Sequence, residues 1–211
     1  MEVKTIDTSK LSRSPFVVRI IRVFSPTLIW VHILNGQEPF QKMMEELNRR
    51  LNRHRRIHSN ARVNDLVAVE TKQGWQRGII AKINGDGTAQ IALRDWRLYI
   101  RHPIAELYKL EDRFRERSWE AVPCALAYAG PAIAGARWSP RAINITRSIA
   151  EQQTGHMEII KPIRGEAALI KLEIRNETDN VYQNLKNLLI QLGVVVKTAT
   201  ITTSTTLSIA I

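Results

Sequence analysis

The sequence predicts an α+β protein, mainly β-stranded, organised around one small barrel. Three observations carry this. First, the stretch from Val63 to Leu110 breaks into short runs rich in β-branched residues, separated by Gln73-Gly74, by Asn84-Gly85-Asp86-Gly87 and by a polar break near Asp95. Asn-Gly and Asp-Gly mark hairpins, because their turns need backbone angles that Gly and Asn reach cheaply. Second, the apolar runs on either side of this stretch are also strand-length, at Ser14 to Leu34, His156 to Ile163 and Ala167 to Ile174. Third, between Gln37 and Leu51 the apolar period changes to that of a helix: Phe40, Met44, Leu47 and Leu51 form one stripe. Several short twisted strands within about fifty residues predict a small barrel at Val63–Leu110.

The elements follow in order. Pro26 turns the chain between the two apolar segments of Ser14–Leu34, and Trp30 is expected as a wedge in the core. Pro39 suits a first helical turn. The polar face of that helix carries Lys42, Glu45, Glu46, Arg49, Arg50 and Arg53, and its end is strongly basic, with Arg55 and Arg56 between His54 and His58. The macrodipole accounts for some of this, at roughly 0.3–1 kcal/mol per cation. It does not cover the density of the cluster, which leaves a docking surface for phosphates or an acidic peptide as an open reading. Glu111–Ser118 reads as a short charged helix, and Phe114 and Cys124 as buried contacts. Gly130–Gly135 is a loop. Ser139 and Pro140 open a helix whose buried stripe is Ala142, Ile145 and Ile149. Two strands then flank Arg164-Gly165. Asp179 caps a last helix bearing Val181, Leu185, Leu188 and Leu192, stopped by Gly193. The Thr-rich remainder is either a flexible tail or a strand for an open sheet edge.

Composition narrows the classes. With 211 residues the chain can bury a substantial core, as one large unit or two small ones. A single cysteine, Cys124, excludes an internal disulfide framework and a Cys-rich zinc site, and fits an intracellular protein. No apolar run reaches the roughly 20 residues that span a bilayer, and the opening residues lack a signal-peptide core. The formal charge of +11 invites nucleic acid, acidic peptides or anionic surfaces as partners; a solvated basic face is the plainer reading. The five histidines lack metal-ligand spacing, no Gly-rich phosphate loop or nucleophile elbow is present, and nothing near Cys124 would activate it. The expectation is a protein without catalytic activity or cofactor.

The segments Leu66-Val67-Ala68-Val69, Gly74-Trp75-Gln76-Arg77-Gly78-Ile79, Leu93-Arg94-Asp95-Trp96 and Leu107-Tyr108-Lys109-Leu110 resemble a Tudor domain, whose middle elements usually read W-Y-R-A and F-x-D-Y-G-N. The flanks resemble the staphylococcal-nuclease-like half of the extended Tudor architecture, in the opening hairpin, in the return strand at Val122–Leu126 and in the closing helix. The resemblance implies a Tudor barrel inserted in a nuclease-like OB barrel and joined to it by the long helix. It places the first part of the nuclease-like half and the helix at 14–58, the Tudor core at 59–110, the second part at 111–193 and a tail at 194–211. It also implies a peptide-binding adaptor that engages an arginine-containing tail of a PIWI-clade Argonaute in germ granules of the cytoplasm, within piRNA silencing. RNA binding through Arg49, Arg50, Arg53, Arg55 and Arg56, and self-association through the tail, are the other readings.

Tudor domains of this kind hold methylated arginine between aromatic walls, each cation–π contact being worth about 0.5–1 kcal/mol when exposed and about 2 when desolvated. Counted from Trp75, the resemblance puts the walls at Glu70, Gln76, Leu93 and Trp96, the orienting asparagine at Leu98 and the preceding glycine at Arg97. Of the four walls only Trp96 is aromatic, with Tyr99 near enough to replace another if the loop bends. Glu70 and Asp95 bring carboxylates and Gln76 an amide. Carboxylates pair with plain guanidinium, and methyl groups would obstruct those bonds. The expected site is therefore Glu70, Gln76, Leu93, Asp95, Trp96, Leu98 and Tyr99, preferring or tolerating unmethylated arginine. For Glu70 an exposed strand position, and for Trp96 barrel packing, are the alternative roles.

Overall fold

Pro26 and Thr27 turn the chain between β1 (Phe16–Ser25) and β2 (Leu28–Ile33), in a computed structural model that describes residues 3–11, 15–53, 60–163, 167–175 and 181–199. The alternation of the hairpin puts Val18, Ile20, Ile29 and Val31 inside. Pro39 falls in the first turn of α1 (Glu38–Leu51), as the sequence predicts, and the stripe Phe40, Leu47 and Leu51 is buried with Met44 partly so. The barrel strands follow: β3 (Leu66–Thr71), β4 (Gly74–Ile83), β5 (Thr88–Leu93), β6 (Leu98–Pro103) and β7 (Tyr108–Lys109). Next come β8 (Val122–Leu126), β9 (Ala129–Gly130), α2 (Pro140–Ala150), β10 (Thr154–Ile163), β11 (Ala167–Arg175), β12 (Tyr182–Asn184), α3 (Leu185–Gln191) and β13 (Val196–Lys197). The chain is a mixed α+β protein with one five-stranded barrel.

Two compact units divide the chain. The first comprises Gly36–Glu120 with the N-terminal residues up to Thr5; the second comprises Ile6–Asn35 and the segment from Ala121 onward. In chain order the first therefore interrupts the second.

In the first unit the strands run β6-β5-β4-β3-β7. Val67, Val69, Ile80, Ile91, Leu93 and Leu107 fill the interior. On the outer side Trp75, Ala68, Tyr108, Leu110 and Phe114 pack with Leu47 and Leu51 of α1. Trp75 meets Tyr108 edge-on, with ring centroids 5.0 Å apart. The helix is also latched polar-to-polar. The backbone N–H of Trp75 donates to Asn48 Oδ1 at 2.8 Å, and its indole Nε1–H donates to Asn52 Oδ1 at 2.8 Å. Gly74, at φ +93°, lets the β3–β4 turn pass close under Asn48.

The expected helix over Glu111–Ser118 does not form beyond a single 3-10 turn at Asp112–Phe114. The carbonyls of Phe114, Arg117 and Ser118, which a helix would aim at its own N–H groups, accept from Arg77 instead. That segment, expected to open the second half, packs in the first unit.

In the second unit β1 pairs with β10 and β2, β2 with β8, β8 runs parallel to β11, and β11 pairs back to β10. Five strands thus form a closed ring of pairings, with β12 added to β11. Its core holds Ile20, Val31, Cys124, Met157, Ile170 and Leu172, covered by Ala142 and Ala150 of α2 and by Leu185 and Leu189 of α3. Ser139 caps α2 by accepting from the N–H of Ala142. The last helix begins later than predicted. Asn184 caps it rather than Asp179, because Tyr182–Asn184 is drawn into the sheet edge as β12, and Val181 before the helix and Leu192 at its C-cap are exposed. Asp179, the Arg164-Gly165 turn, and the tail beyond Ala199 lie outside the described residues; before that point Val196–Lys197 pairs with Ala129–Gly130.

Candidate functional site

Register decides which predicted residues can meet. In the β3–β4 pair Glu70 lies opposite Trp75 and Val69 opposite Gln76. Directly paired residues share a face, and neighbours along a strand take opposite faces. Glu70 therefore stands on the outer face with Trp75 and Arg77, while Gln76 turns inward with Val69. The β5–β6 pair works the same way. Leu98 opposes Leu93 on the inner side, and Tyr99 opposes Ala92 on the outer. Leu93 is buried in the barrel interior and Leu98 packs against it, whereas Tyr99 is 46% exposed. The single hollow expected from chain spacing is therefore divided between two faces, and neither Glu70 nor Tyr99 lies on the side of Gln76.

Asp95 is not an acid awaiting a ligand. Its side chain is 1% exposed and the guanidinium of Arg77 0%. Arg77 Nε–H donates to Oδ2 at 2.7 Å and Nη2–H to Oδ1 at 2.9 Å, a bidentate pair. The other Nη hydrogens go to the carbonyls of Phe114, Arg117 and Ser118 at 2.6–2.9 Å, so the five N–H donors of this guanidinium meet five acceptors. Oδ1 of Asp95 also accepts from the backbone N–H of Glu120 at 2.9 Å, and the Trp119 ring covers Arg77 at 4.7 Å. The carboxylate expected to take a peptide guanidinium is held by the chain's own. Glu120 itself is buried, and burial pushes its carboxyl above the usual range against the opposing pull of Arg117.

On the inner side Gln76, Leu93, Trp96 and Leu98 stay together, Trp96 and Leu98 packing against the cluster that holds Leu93, and the polar contact among them joins Gln76 to Trp96. The indole Nε1–H donates to Gln76 Oε1 at 2.7 Å. Phe40, from the first turn of α1, brings its ring to 6.3 Å from that of Trp96 at 58°. Spacing identified Phe40 as a stripe residue and missed this second contact. Arg97 stands where the family's glycine would, at φ +51°, so the turn keeps its left-handed conformation without the glycine. Burial holds Arg97 below the pKa of a solvated guanidinium, partly offset by Tyr99. Chemically the arrangement offers a half-buried indole and a polar amide already hydrogen-bonded to it, in place of four aromatic rings.

Of the basic cluster, Arg49 and Arg50 occupy the last turn of α1 and Arg53 lies just beyond it. Arg50 pairs with Glu111 at 3.2 Å. Arg55 and Arg56 fall outside the described residues. Cys124 is buried, and burial pushes its thiol far above the ordinary range, away from the thiolate a nucleophile needs. Among the described residues no group of three or more His, Cys, Asp or Glu could hold a metal, and no helix is long and apolar enough to cross a membrane.

Comparison with known proteins gives the following. The family model described as Tudor domain matches residues 12–128. The structure superposes on extended Tudor domain TD3 of mouse TDRD1, solved with a MILI peptide containing dimethylarginine, with a TM-score of 0.76 at 13% identity, covering 93% of this chain and 99% of that one. The extended Tudor domain of Drosophila melanogaster Papi gives a TM-score of 0.70 at 20% identity, covering 87% and 99%. A variant of that Papi domain was solved with an unmethylated N-terminal Piwi peptide; it gives 0.68 at 20% identity over the same shares. At such identities the likeness establishes the fold. No curated protein matches.

Proposed function

Because this chain belongs to the Tudor domain family, we propose that it is a non-catalytic adaptor of piRNA silencing that binds an arginine-containing tail of a PIWI-clade Argonaute independently of arginine methylation. The carrying observation is Gln76 standing where a wall would be and accepting from Trp96. With one ring in place of four, the cation–π attraction that an aromatic box offers a guanidinium falls by about 2 kcal/mol even at the exposed-contact figure, and with it the means of rewarding methylation. Support comes from Papi, whose domain was solved with Piwi peptides in both the methylated and unmethylated forms. The carboxylate grip first expected from Glu70 and Asp95 is replaced by the indole face of Trp96 and the amide of Gln76 as the groups a guanidinium meets.

On this reading residues 59–110 are the Tudor core, with α1 and 111–120 packed in the same unit, while 14–35 and the segment from Ala121 onward supply the two parts of a nuclease-like OB half, the closed ring of β1, β2, β8, β10 and β11 being that barrel. On the same reading the chain comes from a Krimper-like scaffold of that pathway, and a cytoplasmic germ granule is its location. Isothermal titration with matched Arg and symmetric dimethyl-Arg peptides tests the assignment. Equal affinities, within about threefold, are expected; a tenfold preference for the methylated peptide, about 1.4 kcal/mol, overturns it. If neither peptide binds, and RNA binds with a steep salt dependence removed by Arg49→Glu with Arg53→Glu, the basic end of α1 is the functional surface instead.

A further inference from the structure

The second unit contains a cavity of about 240 Å³ that the arginine site does not use. Its floor is Leu126, Ile160, Ile170 and Leu172, and its rim carries Tyr128, Lys186 and Asn187. Tyr128 joins β8 to β9 at φ +58°, a left-handed conformation that a bulky residue adopts only when its surroundings impose it, and such positions gather at ligand sites. The half-buried Lys186 holds its ammonium 5.5 Å from the centre of the Tyr128 ring, and among the described residues no carboxylate pairs with it. The other lysine of the lining, Lys171, is by contrast already committed to Glu173 at 2.7 Å. The Lys186 stem lies along an apolar floor while its ammonium reaches the rim, where among the described residues it is a lining cation not paired with a carboxylate. Asn184 spends its side-chain oxygen on the N–H of Asn187, which leaves its amide hydrogens as donors at the same rim.

We propose that this cavity binds the C-terminal residue of a peptide, an apolar side chain filling the floor and the free carboxylate lying on Lys186. The volume suits one side chain, below the 300–1,000 Å³ usual for small-molecule pockets. The pairing of apolar floor with a single uncommitted cation selects a carboxylate attached directly to an apolar body. This site is independent of the arginine reading and stands if that reading fails.

The test is methyl NMR of the full chain titrated with acetyl-Gly-Ala-Leu bearing a free C-terminus, with the C-terminal amide of the same peptide, and with uridine monophosphate. The free acid should move the methyl resonances of Leu126, Ile160, Ile170 and Leu172, and the amide should bind about tenfold more weakly. Lys186→Met should bring the acid down to the level of the amide, and Lys186→Arg should retain the difference. Equal affinity of acid and amide on the unmodified chain overturns the proposal without reliance on any variant. So does the absence of shifts at these methyls, or their movement by uridine monophosphate alone.

Discussion

Trp96 Nε1–H and Gln76 Oε1, twenty residues apart in the chain, are joined at 2.7 Å. The bond satisfies an indole N–H that would otherwise need water or a ligand, and it fixes the buried amide of Gln76 against the half-buried ring. A tyrosine at position 76 could not accept in the same place and would offer a second aromatic wall. Gln76→Tyr should therefore strengthen binding of a dimethylarginine peptide by about 2- to 5-fold, the worth of one cation–π contact. Calorimetric titration of both peptides against both chains measures it.

The Arg77–Asp95 pair predicts a stability effect of another order. Removing one member of a buried, bidentate pair strands the other charge, at a cost of about 3–5 kcal/mol. Asp95→Ala should lower the unfolding free energy from urea curves accordingly, whereas Glu70→Ala, at an exposed strand position where any charge contact is screened by solvent, should change it by less than about 1 kcal/mol.

Glu120 gives stability a pH dependence of known sign. Its folded carboxyl titrates above the unfolded one, chiefly through burial. Between those two values the folded state binds more protons than the unfolded, so this group's contribution falls as pH rises through the interval and stays at its lowest above it. Glu120→Gln removes the effect. Compared with the parent chain, the variant should gain stability progressively from the ordinary glutamate range upward, read from urea curves at several pH values.

Gly74→Ala places a methyl group against the Asn48 side chain and forces φ +93° on a residue that resists it. The expected loss is about 1–3 kcal/mol. Gly87→Ala, at a similar angle with open space around it, separates backbone strain from the steric part when both are compared by thermal unfolding.

Cys124 should resist alkylation by iodoacetamide in the folded chain and react only on unfolding, since its thiol is fully buried and shifted away from thiolate. Mass spectrometry across a urea series gives the midpoint of labelling, which should coincide with that of unfolding.

The parts legible in the sequence were those set by near neighbours. Gly87 takes the positive φ that its hairpin position demands, and Phe40, Leu47 and Leu51 are buried on α1 as their spacing requires. The misplacements share one cause: they depend on partners far along the chain. Spacing counted from Trp75 locates Glu70 along β3 but cannot tell which face it takes, and only the pairing of Glu70 with Trp75 settles that. Glu111–Ser118 has helical composition, yet its carbonyls belong to an arginine more than thirty residues earlier. Asp179 looked like a cap because a strand edge drawing in Tyr182–Asn184 has no local signature. Arg77 itself could have been suspected from an arginine set among apolar strand residues with an aspartate eighteen positions on.

The collar that residues 114–118 form around Arg77 fixes where the first unit ends as a piece of chain. Its last strand closes at Lys109, and a cut there would look tidy. It would also strip three acceptors from a cation sealed away from water. Anyone excising or transplanting this barrel must carry the ten residues after it, because those loop atoms are solvent for an ion that never sees any other.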